Sequence, residues 1–439
     1  MACVLTGSTL TTQQRLASDR GATARTPYRV TLFLAALTCM AAPAYAFTRW
    51  HIGLYPTTLL EVLIVLTVVV FLAESVITST AIAWRTPFTY PAALLLVAGL
   101  VAVAISPDRR GGIGLYRAYL LEPIAFFFVL GAVVRRIEVA LLVTGGLAVG
   151  GLAVGSANSA VVLGAIRAHS LNLAVAPPVV IYNTPNAVAL YLVPLIAVAA
   201  SLAVHERRTA LRLGSGAFAI VAGVSTLLSF SRGGYAALAV VAVTLALSHR
   251  WRWWLVGGLA AALVLLIRAP LIGTRLAHEL NSTDPNNSLV SRIKLWQATL
   301  HMLRDHPVLG TGLSGFARSI GPYRGGVYEE QLIYPHNIIL NFWTETGLLG
   351  LAAFTWLMIQ AIRTALRGWK ECLGEWRPLQ LGVALAMAAV VVHGLVDVPY
   401  WKNDLCLECW TLLGLSWAGL RWGTVESTPS SLLPRQQPA

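Results

Sequence analysis

The side chains best suited to chemistry in this chain of 439 residues fall into a few short clusters. Phe230-Ser231-Arg232-Gly233-Gly234 sets an arginine beside glycines at the head of an apolar run. Glycines let a backbone approach an anion, and the N–H groups of a helix start beside a guanidinium make a phosphate site. The plainer alternative is a tight turn with a snorkelling arginine. Downstream, Ile293, Trp296, Leu300 and Leu303 share one face at helical spacing. The pattern predicts a helix capped by Ser291 and ended by Asp305-His306-Pro307, because proline disfavours helix in the residue before it. Arg292 then sits in the first turn, where a cation opposes the helix dipole, which hints at an anionic ligand. Tyr334-Pro335-His336-Asn337 stands at another helix start. The dipole there favours the neutral imidazole that a base requires; the alternative is a histidine lying among lipid headgroups. His393 and Asp397 are four residues apart, a spacing that fits a pair, a proton relay or an interfacial cluster with Lys402 and Asp404.

Other chemistries find less support. No H-E-x-x-H, no dense carboxylate cluster and no Walker A or dinucleotide glycine motif occurs, so neither metal nor cofactor is expected. There is no D-x-D, and Asp284-Pro-Asn-Asn is its nearest approach. Cys406 and Cys409 form a C-x-x-C inside an apolar run with no second pair nearby, which favours small buried residues over a metal or redox site.

These groups need a framework, and the framework is apolar. The chain is 56% hydrophobic and 12% charged, against about 25% charged in soluble domains, which marks an integral membrane protein. The net charge is +13 and only three lysines occur, so the excess is arginine. Because it lies in short loops between apolar runs, membrane topology and phosphate binding explain it better than nucleic acid. Apolar segments recur at about 30–47, 54–79, 88–106, 118–134, 137–154, 183–204, 211–228, 234–249, 253–267, 336–362, 378–397 and 404–421. The reading is all-α and polytopic, with about twelve helices each near the length needed to cross ~30 Å of hydrocarbon.

Basic residues set the orientation. Arg85, Arg135, Arg136, Arg207, Arg208, Arg212, Arg363, Arg367 and Arg377 fall on the side of the N-terminus. That side is then cytoplasmic by the positive-inside rule. Arg109, Arg110 and Arg117 lie on the other side against the trend, which makes them candidates for anion contacts. The expected organisation is a disordered cytoplasmic tail (1–29), nine membrane helices (30–267), an extracytoplasmic insertion (268–335), three more helices (336–421) and a second tail (422–439). An insertion of roughly 65 residues far exceeds an ordinary loop and is expected to be functional. Glu61, Glu122, Glu345, His393, Asp397, Asp404 and Glu408 all fall toward the outer ends of spans, with Glu74 at an inner end. Since ionisable groups in spans face polar cavities, a water-accessible outer cavity roofed by the insertion is expected. Ala44-Tyr45-Ala46 resembles a signal-peptidase site; its cleavage is expected to leave the site unaffected. The run Glu345-Thr346-Gly347-Leu348-Leu349-Gly350 offers small residues for close helix packing.

Four motifs in this order resemble the O-antigen ligase and polymerase superfamily, the Wzy-C group. They are Asn183-Thr-Pro-Asn186-Ala in place of N-P-N-x-x-A, Ser231-Arg232-Gly233, Arg292-Ile-Lys-Leu-Trp296 with His306-Pro-Val-Leu-Gly310-Thr-Gly312, and His336-Asn337 with Glu345-Thr-Gly347-Leu-Leu-Gly350. The resemblance covers residues 180–400 or so and departs from the pattern at Asn183-Thr-Pro. It implies a twelve-helix membrane glycosyltransferase of the GT-C-like kind in a bacterial cytoplasmic membrane. Such enzymes move a glycan from undecaprenyl diphosphate to a lipid or saccharide acceptor hydroxyl outside the cytoplasm. Carried over by motif, Arg232 and Arg292 would hold the diphosphate and His336 would bind or deprotonate the acceptor. Asn186, Asn337 and Asp397 would support substrate binding, with Arg109 and Arg117 as further anion contacts.

The chemistry of the residues agrees. Departure of a diphosphate builds negative charge that fixed guanidinium groups can stabilise, while a base assists attack at the anomeric carbon. A single displacement with inversion is expected, since no nucleophile is placed for a covalent intermediate. A repeat-unit polymerase of the same superfamily differs only in the acceptor. A transporter of lipid-linked glycans would instead favour midplane charges and inverted repeats.

Overall fold

In hydrocarbon a chain must satisfy its own backbone hydrogen bonds, which apolar runs of this length do by coiling into helices. The computed structural model describes residues 28–52, 55–78, 82–172, 176–249, 251–268, 288–325 and 333–424. Nearly all of both expected tails, parts of the insertion and Asp284 lie outside the described residues. In chain order the helices are α1 (Arg29–Met40), α2 (Leu59–Ile77), α3 (Thr89–Ile105), α4 (Arg109–Val133), α5 (Ile137–Arg167), α6 (Pro185–His205) and α7 (Thr209–Leu228). There follow α8 (Arg232–Ser248), α9 (Arg252–Arg268), α10 (Ser288–Asp305), α11 (Phe316–Ser319), α12 (Ile338–Glu371), α13 (Trp376–Gly394) and α14 (Asn403–Trp422). Each expected apolar segment is thus occupied by a helix, and seven of them are long and apolar enough to cross a membrane. The protein is an all-α polytopic membrane protein. A small hairpin, β1 (Arg49–Ile52) with β2 (Tyr55–Thr58), is the sheet among the described residues. It feeds α2 through a capping box in which Thr58 and Glu61 bond reciprocally.

Helices α6, α13 and α14 bury most of their residues and form the middle of the bundle. Two ends are distinct. At one, Arg208 pairs with Glu375 at 2.6 Å, Arg377 lies over Trp369 and Arg135 over Trp422. At the other gather the starts of α6, α8, α12 and α14 and the end of α13, joined by bonds such as Asn337 Nδ2 to the Leu395 carbonyl at 2.9 Å.

Several local expectations are corrected. Helix α10 begins at Ser288, so Ser291 lies inside it rather than capping it, although Asp305 ends it as expected. Of the expected face Leu303 is buried and Trp296 half-buried, but Ile293 and Leu300 are exposed, and Leu295, Ala298 and Met302 pack on Phe316 and Ile320 instead. The surface it covers lies within the insertion itself, which periodicity could not reveal. In α12, Gly347 adopts φ +68°, and the helix breaks there instead of packing closely. A Cβ at that position would come within 2.6 Å of the Val308 carbonyl oxygen, so glycine is required. The break receives the His306–Gly312 loop: Thr311 N–H donates to the Thr344 carbonyl at 2.7 Å and Leu348 N–H to Val308 at 2.9 Å. Two of the four motifs therefore bind each other. Helix α13 stops at Gly394, so Asp397 sits in the following turn, its N–H donating to the His393 carbonyl at 3.0 Å.

Candidate functional site

The buried carboxylate of Asp397 is the hub of the gathered end. Its Oδ1 faces His336 Nδ1 at 3.2 Å and accepts from the Val398 N–H at 3.0 Å. Its Oδ2 accepts from Asn186 Nδ2 at 3.1 Å and lies 3.5 Å from Arg292 Nη2. Because a carboxylate only accepts, the proton on a neutral His336 ring sits on Nδ1 and leaves Nε2 with its lone pair. That tautomer is the one a base needs.

Each partner is held by its own element. Asn186 occupies the first turn of α6, whose proline at the first helical position suits a helix start. Asn337 caps α12, its side-chain oxygen accepting from the Ile339 and Leu340 N–H groups at 3.0 Å each. His336, just before that cap, has φ +49°, a left-handed backbone that side chains other than glycine seldom adopt and that aims its ring at Asp397. Trp296, one turn after Arg292 on α10, donates its indole N–H to the Pro335 carbonyl at 3.0 Å. This bond ties the arginine helix to the histidine turn and gives the R-x-x-x-W spacing a physical purpose.

Arg232 is the first residue of α8, whose N-cap Ser231 accepts from Gly234 N–H at 3.3 Å. The glycines let this helix start press onto its neighbours. A Cβ at Gly233 would lie 2.5 Å from His393 Cδ2, and one at Gly234 would lie 2.7 Å from Ala189 Cβ. His393, four residues before the hub, is buried against α8 in this way. The start of α8 is thus packed on His393, whose charge acts on the same Asp397 that Arg292 and His336 meet.

Electrostatics follow from this arrangement. Burial pushes the Asp397 carboxyl upward, but the His336 bond and the charges of His336, Arg292 and His393 outweigh it and hold the group well below the ordinary range. Burial lowers the Lys402 ammonium, opposed by Asp404 and Asp397. Burial raises the Tyr334 phenol, helped by Asp397 and eased by Arg292.

Of the residues singled out from the sequence, Asn186, Arg292 and His336 each contact Asp397, Asn337 follows His336, and Arg232 precedes the Gly233 that packs on His393. Arg109 and Arg117 are elsewhere. Arg117 is held by Glu61 at 2.7 Å and Glu122 at 3.1 Å, and Glu61 also accepts from Asn403 Nδ2 at 2.7 Å. Arg109 is exposed at the start of α4. Glu345, read as part of the polar cavity, does line the cavity beyond Tyr334 and also accepts from the Ser314 and Phe316 N–H groups at 2.6 and 3.3 Å, at the head of α11. Sequence reasoning missed Tyr334, whose ring stands edge-on to His336 with centroids 4.8 Å apart. A cavity at the outer end was expected from the sequence, but not that Tyr45 and Lys402 help to line the one beyond that ring. Since Tyr45 lies in the Ala44-Tyr45-Ala46 segment, that segment does contribute to the neighbourhood of the site. Among the described residues no group of three or more histidine, cysteine or acidic side chains is arranged to hold a metal ion.

Comparison with known proteins bears out the resemblance that the motifs carry. Residues 217–355 match the family model Wzy_C, described as O-antigen ligase. The matched stretch contains Arg232, Arg292, His336 and Asn337, while Asn186 and Asp397 lie outside it. The chain is also similar to an O-antigen ligase of Salmonella typhimurium, 28% identical over 151 residues. That match covers 31% of this chain and 36% of the relative, so the chain spans about a third of that relative's length.

Proposed function

We propose that this protein is a membrane glycosyltransferase that moves a glycan from undecaprenyl diphosphate to an acceptor hydroxyl at the outer face of a bacterial cytoplasmic membrane. The observation that carries the reading is the convergence of Arg292, His336 and Asn186 on Asp397, with the glycine-rich start of α8 packed on neighbouring His393. The family match supports the class of activity.

In the proposed step Arg232, Arg292 and the α8 N–H groups bind the diphosphate. They stabilise the charge it gains as the anomeric carbon–oxygen bond breaks. The acceptor oxygen forms the new bond from the opposite side of the sugar while its proton passes to His336 Nε2. Asp397 fixes the tautomer and steadies the imidazolium, as the buried aspartate does in other base-orienting arrangements. Inversion at the anomeric carbon follows from the single displacement.

The test is transfer by purified protein from undecaprenyl-diphosphate glycan to lipid A core, or to a second lipid-linked repeat, with and without EDTA. Inverted product that survives chelation is expected. Product on the core acceptor identifies a ligase and product on the repeat a polymerase. A retained anomer would overturn the single displacement. Movement of lipid-linked glycan across vesicles with no product on either acceptor would replace transfer by transport.

A further inference from the structure

Beyond the Tyr334 ring lies a cavity of about 450 Å³, a size within the roughly 300–1,000 Å³ of small-molecule sites. Tyr45, Arg49, Tyr119, Tyr182, Trp401 and Lys402 are among its walls. Among the described lining residues it holds two cations, Lys402 and Arg49, and one carboxylate, Glu345, which already accepts from the Ser314 and Phe316 N–H groups. The Asp404 carboxylate is engaged by the Tyr182 hydroxyl at 2.6 Å. Lys402 rests 5.9 Å over the Tyr182 ring, and Arg49 has one long bond, 3.5 Å, to the Tyr45 carbonyl. No carboxylate lies within ion-pair distance of either cation among the described residues.

Two further wall residues carry unmet hydrogen-bonding capacity. The Asn341 side-chain oxygen and the Trp401 indole nitrogen are buried and have no partner among the described residues. A purely apolar occupant would leave an acceptor, a donor and two cations uncompensated, at a cost of about 1–3 kcal/mol for each buried neutral group. Hydroxyl groups satisfy the first two, an anionic substituent the others, and the tyrosine and tryptophan faces offer apolar area to a ring's C–H surface.

From this combination we infer that the cavity seats a saccharide bearing an acidic group, a carboxylate or a phosphate, next to the reacting centre. The sugar belongs to the donor or to the acceptor, since both must approach His336. The inference rests on the transfer reading above, and its test keeps the two apart. Full-length protein in nanodiscs is titrated with hyaluronan tetrasaccharide, which carries uronates, and with neutral chitotetraose. Undecaprenyl diphosphate binding is measured on the same preparations.

The acidic probe should bind at least ten times more tightly. Lys402→Met and Arg49→Gln should each erase most of that preference, and Asn341→Ala should weaken both probes, with diphosphate binding unchanged throughout. Equal binding of the two probes, or a preference that survives both cation substitutions, overturns the inference and leaves the transfer reading standing. Failure of the wild type to bind undecaprenyl diphosphate strikes the transfer reading instead. Displacement of the acidic probe by a lipid-linked uronate donor assigns the sugar to the donor. Displacement by phosphorylated core oligosaccharide assigns it to the acceptor, and displacement by neither removes the cavity from the reaction.

Discussion

Two arginine–carboxylate groups sit near the same end of the bundle and differ in who outnumbers whom. At Arg117 one guanidinium serves two buried carboxylates, Glu61 and Glu122, and Asn403 adds a further donor. At Asp397 one buried carboxylate serves Arg292, His336 and Asn186. The first is closed on itself and has no surplus positive charge to offer an anion. The second sets one carboxylate against an arginine, a histidine and an amide, the balance that the proposed diphosphate site requires. An arginine in the wrong loop for the charge rule is therefore a weak pointer to ligand binding. The count of its carboxylate neighbours decides.

The largest expected break in this contrast is at the base. His336→Ala should lower kcat for transfer by about 10²–10⁴ while leaving undecaprenyl diphosphate bound; near-wild-type initial rates would remove the histidine from the chemistry. Arg292→Ala should cost about 10²–10³ in kcat and weaken diphosphate binding, and lysine should restore only part of it because the forked geometry is lost. Titration of diphosphate against the three proteins checks this order.

Arg117→Ala should act differently. Transfer should stay within about threefold of wild type, but two buried carboxylates lose their cation, which costs about 1–3 kcal/mol given that Arg117 is partly exposed. Thermal unfolding in detergent should show the loss, and adding Glu122→Gln should recover part of it. A larger effect on rate than on stability would erase the distinction drawn between the two clusters.

The smallest expected effect is on acid stability. Because Asp397 is held below its ordinary value, its contribution is fully present above the unfolded pKa of about 4 and fades as pH falls through the lower folded value. Asp397→Asn should thus be less stable than wild type at neutral pH, with the gap narrowing in acid. A gap that widens as pH falls would reverse the sign and the assignment.

Much of the framework was legible beforehand. Apolar runs with flanking arginines announce membrane helices because hydrocarbon tolerates no unsatisfied backbone, and every expected run holds a helix. Ends were less legible: α5 continues to Arg167, well past residue 154, because Ser156, Asn158 and Ser159 interrupt the apolar run, and Asn158 is accommodated by donating to Ser225 at 3.3 Å on a neighbouring helix. The face of α10 was misread because its partner, the Phe316–Ile320 segment, belongs to the same insertion. At the site, motif and helix-start position nominated His336, Arg232 and Arg292, while Arg109 and Arg117 entered only as arginines on the side that the charge rule disfavours.

Sequence by itself settled that this chain is a bundle of membrane helices, that its polar groups collect toward one end, and which short motifs could handle an anion and a proton. Tertiary structure alone decided that Asn186, Arg292 and His336 meet on Asp397, that Gly233 exists to admit His393, and that Glu345 accepts from the Ser314 and Phe316 N–H groups. The reason is that helices are dictated by nearby residues. Charge balance at a site instead depends on which distant loops fold against one another, and spacing along the chain does not record it.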